Sequence, residues 1–115
     1  MAKKFVWHKI AESIADIICN ENNLCELEIA DKKICISKNK DTLLACAAKC
    51  PHAGGRLAEG YIDALGNIVC PLHRYKFSLQ NGRNISGEGY FLKTYPIEIR
   101  SDGVFVSMEE NKSFF

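Results

Sequence analysis

The chain predicts an all-β fold, an antiparallel β-sandwich or barrel, on three observations. Apolar and polar residues alternate over short stretches, turn-forming residues separate those stretches at regular spacing, and nothing between Leu24 and Ser107 has the length of a helix-rich α/β pattern. A length of 115 residues is that of one compact domain with a modest core, so residues 1–115 are expected to fold as a single unit.

After Trp7 a strand leads into a turn or short helix around Ala11–Ile17, because Ile10, Ile14, Ile17 and Ile18 recur at roughly helical spacing. Cys25, Leu27 and Ile29 then alternate with Glu26 and Glu28, the period of a half-buried strand whose carboxylates face water. Asp31 and Lys32 read as a turn. Lys33–Lys38 is rich in isoleucine, Asn39-Lys40-Asp41 closes a hairpin, and Thr42–Ala47 resumes the apolar character, which makes a three-stranded meander. Near the C-terminus Ile97 and Ile99 alternate with Glu98 and Arg100, Ser101-Asp102-Gly103 supplies a turn, and Val104 and Val106 begin the return strand. Glu109–Phe115 reads as a polar tail in which Phe114 and Phe115 offer anchors for the body or for a partner.

A net charge of +1, with acidic and basic residues interspersed, leaves no broad electrostatic footprint for nucleic acid. The longest uncharged apolar run, Leu43–Ala48, falls far short of the roughly 20 residues of a membrane-spanning helix. Trp7, His8 and Lys9 interrupt what a secretion signal would need as a continuous apolar segment, so a soluble, cytoplasmic protein is expected. Six cysteines in a reducing compartment point to metal binding or plain burial rather than to a disulfide framework.

The informative segments are Cys50-Pro51-His52-Ala53-Gly54-Gly55-Arg56-Leu57 and Cys70-Pro71-Leu72-His73-Arg74-Tyr75-Lys76-Phe77. Each places one thiolate and one imidazole close together, so two facing loops can offer two sulfurs and two nitrogens to one inorganic centre. Structural zinc accepts the same donors, and spacing alone leaves both centres open. Zinc fingers, however, typically pair like with like within a knuckle, whereas here each half pairs Cys with His.

These boxes resemble those of the Rieske family, C-P-H-x-G and C-P-x-H in its soluble ferredoxins, and both are complete. The resemblance extends over most of the chain, from Trp7 through the meander and both boxes to Lys93-Thr94-Tyr95-Pro96-Ile97. It implies a Rieske-type antiparallel sandwich with a small cluster-binding subdomain of two ligand loops, holding one [2Fe-2S] cluster per chain. Cys50 and Cys70 would hold the iron that stays ferric, and His52 and His73 the exposed iron that takes the electron. The implied role is that of a soluble one-electron carrier, not itself an enzyme, between a flavoprotein reductase and an oxygenase or other redox enzyme. Only His8 remains for a second iron site, too little for the two histidines and a carboxylate that an oxygenase requires. The competing reading is a zinc-binding or cluster-free interaction module on the same fold.

High-potential members of the family carry an extra cysteine in each box, forming a disulfide, and a serine and a tyrosine after the second histidine. This chain has Gly55, Leu72, Tyr75 and Phe77 at those positions, which implies a low potential for a Rieske centre. Arg74 stands where soluble relatives commonly have glycine. With Lys49, Arg56 and Lys76 it is a candidate basic rim for steering an acidic partner. Cys19, Cys25, Cys35 and Cys46 lack paired spacing and are read as small buried residues, with Cys46 placed to compete for metal during assembly. Asn81–Tyr90 is read as a loop that by resemblance covers one side of the cluster.

Overall fold

The computed structural model describes residues 4–52 and 54–110, so Ala53 of the first box and the Phe114 and Phe115 anchors lie outside the described residues. Among the described residues ten strands form in chain order: β1 Phe5–Ala11, β2 Leu24–Ile29, β3 Lys32–Asn39, β4 Thr42–Ala47, β5 Tyr61–Ile62, β6 Asn67–Val69, β7 Lys76–Ser78, β8 Thr94–Tyr95, β9 Ile97–Arg100 and β10 Gly103–Glu109. Helical structure there is limited to 3-10 turns over Ile14–Asp16 and Leu57–Glu59. Pairing gives three antiparallel sheets, ordered β1-β10-β9, β2-β3-β4-β8 and β5-β6-β7. The all-β expectation holds.

The meander sheet is the middle layer. Ile34, Ile36, Leu43 and Ala45 pack on one side with Val104, Val106 and Met108. Leu24, Cys35 and Cys46 pack on the other with Ile68, Phe77, Leu79 and the site cysteines. β3 is therefore buried continuously from Ile34 to Ser37 rather than on alternate residues. A central strand covered on both faces loses the polar alternation that marks a half-exposed one.

Three sequence readings shift. The turn between β2 and β3 is Ala30-Asp31, both at positive φ (50° and 66°), one residue earlier than read, because a two-residue primed turn matches the twist of the paired strands. Glu26 does not face open water, since Arg56 reaches over it at 2.6 Å and its side chain is only 16% exposed. Glu109 belongs to β10, opposite Phe5, rather than to a tail. No helix of the described residues is long and apolar enough to cross a membrane.

Candidate metal centre

Both boxes are loops closed by an antiparallel pair. Lys49 pairs with Arg56 around residues 50–55, and Val69 pairs with Lys76 around residues 70–75, as the connection from β6 to β7. Within each loop the backbone repeats one pattern. The Cys50 N–H donates to the Gly55 carbonyl (2.8 Å) and the Cys50 carbonyl accepts from the Gly54 N–H (2.9 Å). The Cys70 N–H donates to the Tyr75 carbonyl (2.9 Å) and its carbonyl accepts from the Arg74 N–H (3.0 Å). The residue four after each cysteine takes a left-handed conformation, Gly54 at φ 72° and Arg74 at φ 59°. That explains why glycine suits both positions, and Arg74 holds its geometry at a cost of roughly 1–2 kcal/mol.

The loops bring all four predicted ligands together at one end. Cys50 and Cys70 are buried beneath, 2% and 0% exposed. His52 is half-buried and His73 exposed above them, with their Nδ1 atoms 3.3 Å apart. Two nitrogens each about 2.1 Å from one near-tetrahedral ion stand about that far apart. Among the described residues no group of three or more Cys, His, Asp or Glu side chains is preformed as a site for one ion. Two buried sulfurs and two outer nitrogens fit a binuclear centre that takes its sulfur donors at one metal and its nitrogen donors at the other. The donor set fits a [2Fe-2S] cluster.

The fifth residue after each cysteine meets the opposite loop. A Cβ at Gly55 would lie 2.9 Å from Leu72 Cγ and 3.1 Å from Cys70 Sγ, so Leu72 closes the space where high-potential relatives would place their disulfide. Tyr75 stacks on His52, with ring centroids 4.0 Å apart and an interplanar angle of 25°. Tyr90 leans on the same imidazole (5.3 Å) and on Tyr75 (5.8 Å). The loop bearing Tyr90 is tied to Lys76: its N–H donates to Ser86 Oγ (3.0 Å), and its carbonyl accepts from Asn84 Nδ2 (3.0 Å) and the Ile85 N–H (2.8 Å). Ser86 and Asn84 in turn donate to the Glu88 carboxylate and hold its pKa below the usual range, with the nearby His52 as a lesser cause. Burial, reinforced by Glu88, pushes the Tyr75 phenol upward. Sequence reading named Cys50, His52, Cys70 and His73 as candidate ligands and missed this aromatic cover; the signal was an aromatic residue two positions after the second histidine.

The basic rim is smaller than expected. Arg56 is bound to Glu26 (2.6 Å) and Glu59 (3.1 Å), and Lys76 sits 3.7 Å from Asp63, which leaves Arg74 and Lys49 as the cations of that set outside these ion pairs. Cys46 is fully buried, lies opposite Cys35 across β3 and β4, and shares a thiol hydrogen bond with it, in the same core cluster as Cys50 and Cys70. Cys35 is buried likewise. Cys19 and Cys25 are half-buried rather than buried, and Cys19, Cys25, Cys35 and Cys46 are thiols outside any disulfide. His8 lies within β1, opposite Val106.

The fold is shared with solved structures. The chain superposes on the ferredoxin of carbazole 1,9a-dioxygenase from Nocardioides aromaticivorans with a TM-score of 0.74, at 18% identity over 87% of this chain and 95% of that one. On a nitrite reductase small subunit from Mycobacterium tuberculosis the TM-score is 0.77, at 17% identity over 91% and 96%. In sequence it is 23% identical over 82 residues to the ferredoxin component of an alkene monooxygenase system from Xanthobacter autotrophicus, covering 71% of this chain and 67% of that protein. It is 28% identical over 65 residues to the ferredoxin subunit of a 3-phenylpropionate/cinnamic acid dioxygenase from Photorhabdus laumondii, covering 56% of this chain and 62% of the relative. The Rieske [2Fe-2S] domain model matches residues 7–96, and with both ligand boxes inside that span the chain belongs to the Rieske [2Fe-2S] domain family.

Proposed function

We propose that residues 1–115 form one Rieske domain that carries electrons singly in the cytoplasm, with Cys50, His52, Cys70 and His73 as the ligands of its [2Fe-2S] cluster. The observation that carries this reading is the meeting of two buried thiols and two adjacent imidazoles on two matching loops. A cluster bound there supplies reversible one-electron oxidation and reduction. The chain's own part is to shield the thiols from water within the core formed with Leu57, Ile68 and Phe77, and to hold two imidazoles beside each other outside it. Phe77 is fully buried and carries no hydroxyl, so it brings no hydrogen bond toward a cysteine sulfur, which supports a low potential.

By analogy with relatives that are ferredoxin components of monooxygenase and dioxygenase systems, the electron comes from a flavoprotein reductase and passes to an oxygenase or another redox enzyme. An anaerobic titration of the purified protein tests the carrier role. It should take up one electron per chain, with a midpoint in the lower part of the Rieske range of about −150 to +300 mV. A midpoint above about +150 mV would overturn the low-potential assignment. Absence of electron uptake by an iron-loaded protein would overturn the carrier.

A further inference from the structure

The two histidines are not held alike. His52 is half-buried, stacked by Tyr75 at 4.0 Å and flanked by Tyr90 at 5.3 Å. His73 is exposed, its nearest aromatic neighbours are His52 at 4.8 Å and Tyr75 at 6.2 Å, and Leu72 beside it is 55% exposed. The cover over His52 is itself anchored, because Asn84 and Ser86 fasten its loop to the backbone of Lys76, the residue that closes the second ligand loop.

We infer that Tyr75 and Tyr90 are positioning residues that clamp the His52 imidazole, so that His73 alone is the histidine this protein presents to a redox partner. Offset stacking fixes the plane of the His52 ring, and the two phenol rings fill the space from which a partner surface would approach it. The open edge of the tip is then His73 with Leu72 and Arg74, an apolar and a cationic side chain beside the imidazole. A partner surface fitting that edge is apolar with a carboxylate at its margin, and it has no contact to make with His52.

The inference rests on His52 and His73 being ligands through Nδ1, which leaves each Nε2 for chemical labelling. The test treats iron-loaded, oxidised protein with diethyl pyrocarbonate in alkaline buffer, where acylation replaces the Nε2 proton and releases ethanol and carbon dioxide, and follows the modification of each histidine by peptide mass spectrometry. His73 should be modified about two- to twelvefold faster than His52, the factor by which the stacking energy of an aromatic pair suppresses opening. Tyr90→Ala and Tyr75→Leu should bring the two rates together, whereas Tyr75→Phe, which keeps the ring, should preserve the difference. Circular dichroism and iron content confirm that each variant is folded and loaded. Equal labelling in the loaded native protein, or a difference unchanged in Tyr75→Leu and Tyr90→Ala, overturns the clamp and leaves the ligand assignment standing. A folded protein that takes up no iron and sulfide under cluster-assembling conditions overturns the ligand assignment, and the clamp with it.

Discussion

The two ligand loops share one backbone plan and differ in what each residue position does with it. In both, the cysteine accepts from the amide four residues on and donates to the carbonyl five residues on, and the residue closing the loop is a cation held by a carboxylate, Arg56 by Glu26 and Lys76 by Asp63. The first loop meets the left-handed requirement with Gly54 and leaves room at Gly55 for Leu72 of its neighbour. The second meets the same requirement with Arg74 and uses Tyr75 to cover the first loop's histidine. A symmetric scaffold thus builds an asymmetric tip. Repeated hydrogen bonds set the course of both loops, and Tyr75 leaves one imidazole half-buried and the other exposed.

The largest expected effect comes from breaking the symmetric part. Cys50→Ser and Cys70→Ser should each abolish cluster retention, read as loss of iron and sulfide from the purified protein, because both loops must supply a thiolate. A next, smaller effect is steric. Gly55→Ala places a methyl 3.1 Å from Cys70 Sγ and 2.9 Å from Leu72 Cγ. Leu72 is exposed enough to swing away, but the sulfur is not, so we expect a destabilisation of about 1–3 kcal/mol in chemical denaturation and faster bleaching of the visible absorption.

Exchanging the left-handed residues should move the two loops in opposite directions. Gly54→Ala should cost about 1–2 kcal/mol through backbone strain alone, since nothing lies within 4 Å of the added methyl. Arg74→Gly should stabilise by about 1 kcal/mol for the opposite reason, seen as a higher melting temperature. Both changes having the same sign would remove the shared-plan argument.

The smallest effect concerns the brace under the second loop. Asp63 accepts N–H bonds from Asn67 and Leu65, both at 2.9 Å, and its pKa is lowered chiefly by the Asn67 amide. A depressed folded pKa contributes stability that is fully present above the unfolded value of about 3.9 and is lost as pH falls through the folded value. Denaturation between about pH 5 and 2 should therefore be less steep in Asp63→Asn than in the native protein, with little pH-linked difference near neutrality.

How much of this was legible in the sequence depends on the range of the interaction. The candidate ligands could be named because chemistry restricts which residue types bind soft metals and the loops carry them in short, local motifs. The hairpins of β3-β4 and β9-β10 were readable because register and turn are set within a few residues. The continuous burial of β3 was not, since its second face is covered by Ile68 and Phe77, which belong to distant strands. Glu26 failed for a related reason: its partner Arg56 lies 30 residues on. The cover on His52 depends on three separate segments meeting, and Tyr75 in isolation reads only as a replaced hydroxyl donor. Arg56 and Lys76 looked like free cations because their carboxylates are remote in sequence or paired only through a turn.

On the proposed assignment these loops hold a two-iron centre with sulfur donors at one metal and nitrogen donors at the other. The most direct test of that assignment is low-temperature electron paramagnetic resonance of anaerobically purified protein before and after dithionite, with iron, zinc and sulfide assayed on the same sample. Two irons and two sulfides per chain are expected, with silence when oxidised and a Rieske-type signal of low average g value on reduction. One zinc per chain with no sulfide and no signal would contradict the assignment.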